Sequence, residues 1–194
     1  MYNSLLLRTD ALYSLNFLIY LQNIYLNQNQ RGEQFKFPYV TEMIEFYDEF
    51  EMKFKELWED ILIKLSKEEN NGLDLKIFYE EKNLFYEKLF VPNFDSLKIY
   101  NEIYTGFDVW WSSEAGGFSV ESVITDPLYN IYMELSNTLT NIGRKPKKQL
   151  NISLIYDKCL FGNTMYQPYF AVLYIMDIWG NKEELVPNLQ NCIS

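Results

Sequence analysis

The segment that most constrains the fold is residues 11–27, which carry apolar side chains around most of a helical circumference. Thr9 or Asp10 can cap its N-terminus, and the polar residues 27–33, with Gly32, end it. Only burial on several sides removes such a helix from water, so we expect it at the centre of a helical core. Its apolar positions are Leu12, Leu15, Phe17, Leu18, Leu21, Ile24 and Tyr25.

A second segment, residues 39–67 after Pro38, has the clearest helical period in the chain. At 100° per residue one arc is apolar, and it consists of Met43, Tyr47, Phe50, Phe54, Leu57, Trp58, Ile61 and Leu65. The opposite arc carries carboxylates, namely Glu42, Glu45, Glu49, Glu56 and Asp60. The pattern predicts one amphipathic helix about 40 Å long that spans the domain.

Four further helices are predicted from caps, apolar periodicity and helix-breaking residues. They run from Asp74 to Pro92, from Asp95 or Ser96 to Gly106, from Asp126 to Gly143, and over residues 169–179. Residues 150–161 fit both a strand and a helix, and the tail after Pro187 is expected to be irregular.

Residues 107–124 alternate with a period of two, and turn-forming residues 112–117 lie in the middle. This pattern predicts a small β-hairpin. Trp110 and Trp111 would then point to opposite faces, one into the core and one into solvent as an aromatic anchor for a partner. The alternative is that helices cover both indoles.

Together these elements predict a mainly α protein, a bundle of about six helices with one small hairpin, and α+β is the alternative class. The chain has 194 residues and no internal repeat or long linker, so we expect a single domain over residues 1–194.

The charge balance limits the partners. Seventeen basic and 27 acidic residues give a net charge of −10, which repels nucleic acid and anionic lipid. The one basic cluster, Arg144, Lys145, Lys147 and Lys148, is expected to be a solvated loop.

Compartment and membrane association follow from cysteine usage and hydropathy. Two cysteines, Cys159 and Cys192, do not make a disulfide framework, and no export signal is visible, so we expect free thiols in the cytoplasm. The apolar stretches are shorter than the roughly 20 residues that a bilayer span requires, so no membrane association is expected.

The chain has no histidine. Its absence excludes Ser-His-Asp and Cys-His catalysis and the usual zinc ligand sets. No glycine-rich phosphate loop occurs, so neither a cofactor nor a metal is expected. Cys159 has no histidine to activate it and is interpreted as a buried structural thiol.

Carboxylates remain as the chemical groups to interpret. Glu42, Glu45 and Glu49, or Glu114 with Glu121, could hold a metal or cleave a glycosidic bond. A solvated helix face is the simpler interpretation of the acidic arc, since it lies opposite the apolar one. The third interpretation is a docking surface for a basic partner.

We therefore expect a non-enzymatic interaction protein, such as an acidic immunity protein or inhibitor that neutralises a basic protein partner, for example a nuclease toxin. The alternatives are a carboxylate-based hydrolase and a structural subunit that oligomerises through residues 169–179; the oligomeric state is left open. The candidate partner-binding residues are Glu42, Glu45, Glu49, Glu56, Asp60, Trp110 and Trp111.

Overall fold

The computed structural model describes residues 5–29, 35–67, 72–163 and 166–193. Within these ranges the chain forms nine helices and four strands, so the fold is mainly α with a small sheet, as predicted. The chain divides into two compact units. Unit 1 comprises Met1–Leu12, Glu114–Lys158 and Thr164–Ser194, and unit 2 comprises Tyr13–Ser113 and Cys159–Asn163. The single-domain organisation stays a prediction.

Unit 2 contains five helices, and the first of them lies at its centre. They are α1 (Tyr13–Asn29), α2 (Phe50–Ser66), α3 (Gly72–Tyr79), α4 (Asn83–Leu89) and α5 (Phe94–Trp111). Helix α1 contacts α2, α3 and α5, and its Leu15, Phe17 and Leu18 side chains are fully buried. The prediction of a central, almost entirely buried helix is confirmed.

The N-terminus of α1 is capped from a distant element. Thr9 and Asp10, the predicted caps, belong to a strand instead. Asp74 on α3 accepts hydrogen bonds from the backbone N–H groups of Tyr13 and Ser14, at 2.8 and 3.0 Å, and from the Ser14 hydroxyl. A buried carboxylate thus satisfies the free donors of the first helical turn.

The predicted helix over residues 39–67 is wrong in its first part, because α2 begins only at Phe50. Residues 39–49 form a loop whose backbone pairs with the end of α4: Phe46 forms a β-bridge with Phe90. Tertiary hydrogen bonds therefore replace the helical ones that the periodicity favours. Met43, expected on the apolar arc, is exposed, whereas the arc from Phe50 onward is buried.

The predicted helix from Asp74 to Pro92 is divided into α3 and α4 by a turn at residues 80–82. Two tyrosine hydroxyls of α5 satisfy carbonyl groups at this break. Tyr104 donates to the Phe78 carbonyl at 2.9 Å, and Tyr100 donates to the Lys82 carbonyl. The interruption leaves these buried acceptors paired, which explains why it is tolerated.

The predicted hairpin over residues 107–124 is wrong, because these residues are mainly helical. Helix α5 starts with a capping box between Asn93 and Ser96 and continues through Gly106 to Trp111. The apparent alternation is one edge of a helical pattern, since Tyr100, Tyr104, Phe107 and Trp111 share a buried face at helical spacing.

Unit 1 is built on a four-stranded sheet. Its strands are β1 (Leu7–Asp10), β2 (Leu150–Ile155), β3 (Tyr166–Gln167) and β4 (Phe170–Tyr174), in the order β1-β2-β4-β3. β2 is parallel to β1 and β4, and β3 is antiparallel to β4. The ambiguous residues 150–161 therefore begin with a strand.

Four helices complete unit 1, namely α6 (Gly117–Val123), α7 (Thr125–Asn141), α8 (Ile175–Gly180) and α9 (Lys182–Cys192). Helix α7 confirms the predicted helix ending before Gly143, which has a positive φ of 67°. The predicted helix over residues 169–179 is wrong in its first half, which is β4, whose apolar run is typical of a strand buried inside a sheet, whereas its second half belongs to α8. The oligomerisation through residues 169–179 that the sequence suggested stays a prediction.

The tail after Pro187 is helical and so contradicts the prediction of an irregular end. Arg144 donates to the carbonyls of Gln190 and Ile193, at 3.4 and 2.8 Å, and so caps the C-terminal end of α9. This guanidinium comes from the basic cluster at residues 144–148, which lies in an exposed loop as predicted.

Candidate docking surface

The predicted acidic residues do not form one helical stripe. Glu42, Glu45 and Glu49 lie in residues 39–49, here called the acidic loop, whereas Glu56 and Asp60 lie on α2. All five side chains are exposed. The interpretation as a single helix face is corrected, and the binding role of these residues stays a prediction.

Amide side chains of α1 hold the chain on the N-terminal side of the acidic loop. Asn23 donates to the Phe37 carbonyl at 2.9 Å, and Asn27 donates to the Lys36 and Pro38 carbonyls at 2.7 and 2.9 Å. These bonds satisfy backbone acceptors that a helix would otherwise pair internally. The path of the chain into the loop is therefore set by α1.

The C-terminal part of the acidic loop is held by α4 and α5. The Glu45 carbonyl accepts from the Val91 N–H at 2.9 Å, and Tyr47 N–H donates to the Leu89 carbonyl at 3.1 Å. The Glu45 carboxylate accepts from the side-chain amide of Asn93, the N-cap of α5, at 2.7 Å. Glu45 is therefore fixed beside the start of α5.

Two shallow pockets lie between the acidic loop and α5, and they share Ile99. The first, of about 210 Å³, is lined by Tyr20, Tyr39, Val40, Thr41, Glu42, Ile99, Glu102 and Ile103. The second, of about 220 Å³, is lined by Met43, Glu45, Asn93, Phe94, Asp95, Ser96 and Ile99. We call the residues that line either of the two pockets the docking surface.

Three large apolar side chains of the docking surface are strongly exposed. Tyr39 is 71 % exposed, Met43 is 79 % exposed and Phe94 is 83 % exposed. Single exposed apolar residues are ordinary, but these three line two pockets that share Ile99, and exposed apolar groups gathered in this way are typical of interaction sites. Tyrosine, phenylalanine and methionine are also enriched in protein interfaces.

The charge of the docking surface is negative. Glu42 and Glu102 line the first pocket, and Glu45 and Asp95 line the second. Lys98 faces Glu102 at 4.0 Å, but both side chains are largely exposed, so this ion pair neutralises little of the potential. The surface therefore combines apolar anchors with carboxylates at its rim.

Sequence reasoning missed the contribution of α5 to this surface. Asp95, Ile99 and Glu102 are spaced four and three residues apart and so share one helix face. That signal was readable in the sequence, but the acidic loop beside it was not, because residues 39–49 were assigned to a helix.

Trp110 and Trp111 lie at the end of α5 and not on a strand. Trp111 is 3 % exposed and stacks on Phe107 with ring centroids 5.5 Å apart, so its role is core packing. Trp110 is partly buried. Its ring packs against Tyr20 and Phe37, with ring centroids 5.8 and 4.7 Å apart. A binding role for Trp110 stays a prediction.

Two other carboxylates singled out in the sequence are Glu114 and Glu121. Glu121 accepts a hydrogen bond from the Ala11 N–H at 2.9 Å, and Glu114 lies in the exposed turn before α6. In the described part of the chain, no group of three or more cysteine and carboxylate side chains is arranged to hold a metal ion.

Both thiols are buried and unpaired in disulfides. Burial raises the pKa of Cys159 to about 12, although hydrogen bonds from the backbone of Gly162 and Phe161 lower it in part. Burial likewise raises the pKa of Cys192 to about 11. A nucleophilic cysteine requires a lowered pKa, whereas both of these thiols are protonated at neutral pH.

Searches among family models, curated proteins and solved structures return no match to this chain. Across the described ranges, no helix combines the length and hydropathy needed to cross a bilayer.

Proposed function

We propose that the chain is a non-enzymatic interaction protein that binds a basic protein through the docking surface. The observation that carries the proposal is the combination of Tyr39, Met43 and Phe94, all more than two-thirds exposed, with four carboxylates around two adjoining pockets. Exposed apolar anchors supply affinity once a partner covers them, and the carboxylates select a partner of opposite charge.

The more specific proposal is an inhibitor of the immunity type, which neutralises a basic protein such as a nuclease. The net charge of −10 favours rapid association with a cationic partner and disfavours direct binding of nucleic acid. A nuclease binds its anionic substrate through a positively charged surface. A protein with a negatively charged surface can bind to this positive surface and exclude the substrate.

Charge reversal at the rim tests the proposal. The rim variant Glu42→Lys, Asp95→Lys and Glu102→Lys changes three carboxylates that line the pockets. Partners are captured from the host lysate, identified by mass spectrometry, purified and titrated by calorimetry. We expect a basic partner whose affinity falls about tenfold or more in the rim variant, with the loss reduced at high salt.

The matched control is Glu80→Lys, Glu87→Lys and Glu183→Lys, which makes the same change in net charge at exposed positions outside the pockets. Full binding by this control together with loss in the rim variant supports the docking surface. Equal loss of affinity in both variants would mean that the overall charge, and not the docking surface, determines binding, which would contradict the proposal. Full binding by the rim variant would contradict it as well.

A further inference from the structure

Tyr20 is a mostly buried side chain that lines the first pocket. Its exposed fraction is 7 %. Its ring packs against Phe107 and Trp110, with ring centroids 5.2 and 5.8 Å apart. The hydroxyl lies 3.8 Å from the position that a Cβ atom at Gly106 would occupy. Gly106 follows Glu102 and Ile103, which also line the pocket, by one turn of α5. The ring is thus held by core residues, and its hydroxyl lies beside the turn of α5 that follows the pocket.

The Tyr20 hydroxyl makes no hydrogen bond with any residue that the structure describes. The hydroxyl is not fully enclosed, so a ligand can reach it. Burial also raises the pKa of Tyr20 above its ordinary value of 10.0, so the hydroxyl is protonated at neutral pH. It can both accept and donate a hydrogen bond.

The other lining residues determine which ligand suits this hydroxyl. Glu42 and Glu102 disfavour an anion and favour a cation. Val40, Ile99 and Ile103 supply an apolar wall for an aliphatic stem, and the Tyr39 ring offers a face to a cation. At about 210 Å³ the pocket is below the usual 300–1,000 Å³ of small-molecule sites, so it suits a single side chain.

We propose that the first pocket receives one arginine side chain of the basic partner. The Tyr20 hydroxyl accepts an N–H of the guanidinium, while Glu42 and Glu102 balance its charge. Arginine fits better than lysine, because its planar group has five donors that can reach a hydroxyl and carboxylates at once. The assignment of the arginine to a protein partner rests on the proposed function; the chemistry of the pocket does not.

Titration with N-acetyl-arginine methylamide, followed by NMR of the full chain at low ionic strength, tests the pocket without the partner. We expect shifts confined to the residues around the pocket and about tenfold weaker binding by Tyr20→Phe, which removes only the hydroxyl. Glu102→Gln is expected to weaken binding about threefold. The controls Tyr129→Phe and Glu87→Gln, at exposed positions outside the pocket, should bind as the wild type does.

The neutral isostere N-acetyl-citrulline methylamide should bind at least tenfold more weakly than the arginine probe. Equal binding of the two probes would overturn the proposal, and so would unchanged binding of the arginine probe by Tyr20→Phe. Tighter binding of spermidine than of the arginine probe would also overturn it, because it would assign the pocket to a free polyamine. If Tyr20→Phe loses probe binding, the arginine pocket is supported, whatever the rim variant does. Normal capture of the partner by the rim variant would then contradict only the docking surface. Unchanged probe binding by Tyr20→Phe, with partner binding lost in the rim variant, would overturn the pocket and leave the docking surface supported.

Discussion

Trp58 shows how one residue depends on the absence of a side chain at another. Its indole is fully buried, and its Nε1 donates to the Asn163 carbonyl at 3.0 Å. A Cβ at Gly162 would lie 2.5 Å from Cδ1 of this ring, closer than any normal contact. Glycine is therefore required at residue 162 by close approach, since the ring is packed on all sides.

Gly162→Ala is expected to destabilise the fold by about 1–3 kcal/mol, because the buried indole must move to admit the methyl group. The measurement is urea unfolding followed by tryptophan fluorescence. Gly180→Ala is the control: nothing lies within 4 Å of its Cβ position at the end of α8, so stability should be unchanged or slightly raised. Equal stability of the two variants would contradict the close approach.

At the scale of elements, the junction of α1 and α3 depends on Asp74. This carboxylate is 2 % exposed and accepts hydrogen bonds from two backbone donors and one hydroxyl at the start of α1. A negative charge there also interacts favourably with the positive end of the helix dipole. One side chain thus fixes where α1 begins and how α3 packs on it.

Asp74→Ala should cost about 2–4 kcal/mol, because it leaves buried donors of the first turn unpaired. Chemical denaturation measures this loss, and Asp60→Ala, an exposed carboxylate on α2, should change stability by no more than about 0.5 kcal/mol. A small effect of Asp74→Ala would mean that water replaces the cap, which would contradict the burial of this site.

For the whole molecule, the titrating groups predict the pH dependence of stability. The chain has no histidine, the side chain that ordinarily titrates near neutral pH, so stability should vary little between about pH 6 and 8. Burial raises the pKa of Cys159, Cys192 and Tyr104 to about 12, 11 and 12, and it also raises the pKa of Tyr100.

These four groups are neutral in the folded chain, whereas the unfolded chain releases their protons from about pH 9 upward. Stability is therefore complete below about pH 9 and decreases as pH rises toward 12. Urea midpoints measured from pH 7 to 11 should show this decrease, and Cys159→Ala should make it shallower by up to about 1.4 kcal/mol per pH unit. If the decrease of stability with pH were equally steep in Cys159→Ala, the raised pKa of the buried Cys159 thiol would be contradicted.

Local pattern by itself determined several elements of this protein. Apolar periodicity, turn residues and caps predict helices over residues 11–27, 39–67 and 126–143, and the structure confirms the first, the third and the part of the second from Phe50 onward; the mainly α class follows from them. The overall charge, the missing histidine and the absence of phosphate-binding motifs likewise needed no coordinates to narrow the chemistry.

The tertiary structure alone decided where competing local patterns end. Residues 39–49 have helical periodicity, yet α1 amides and the end of α4 bind their backbone, so the acidic loop replaces two helical turns. Residues 170–174 pair with β2, although the same apolar run suits a buried helix. In both cases the deciding hydrogen bonds join residues far apart in the chain, and a local window of sequence does not contain their energy. The docking surface arises in the same way, from α5 and a loop that only the fold brings together.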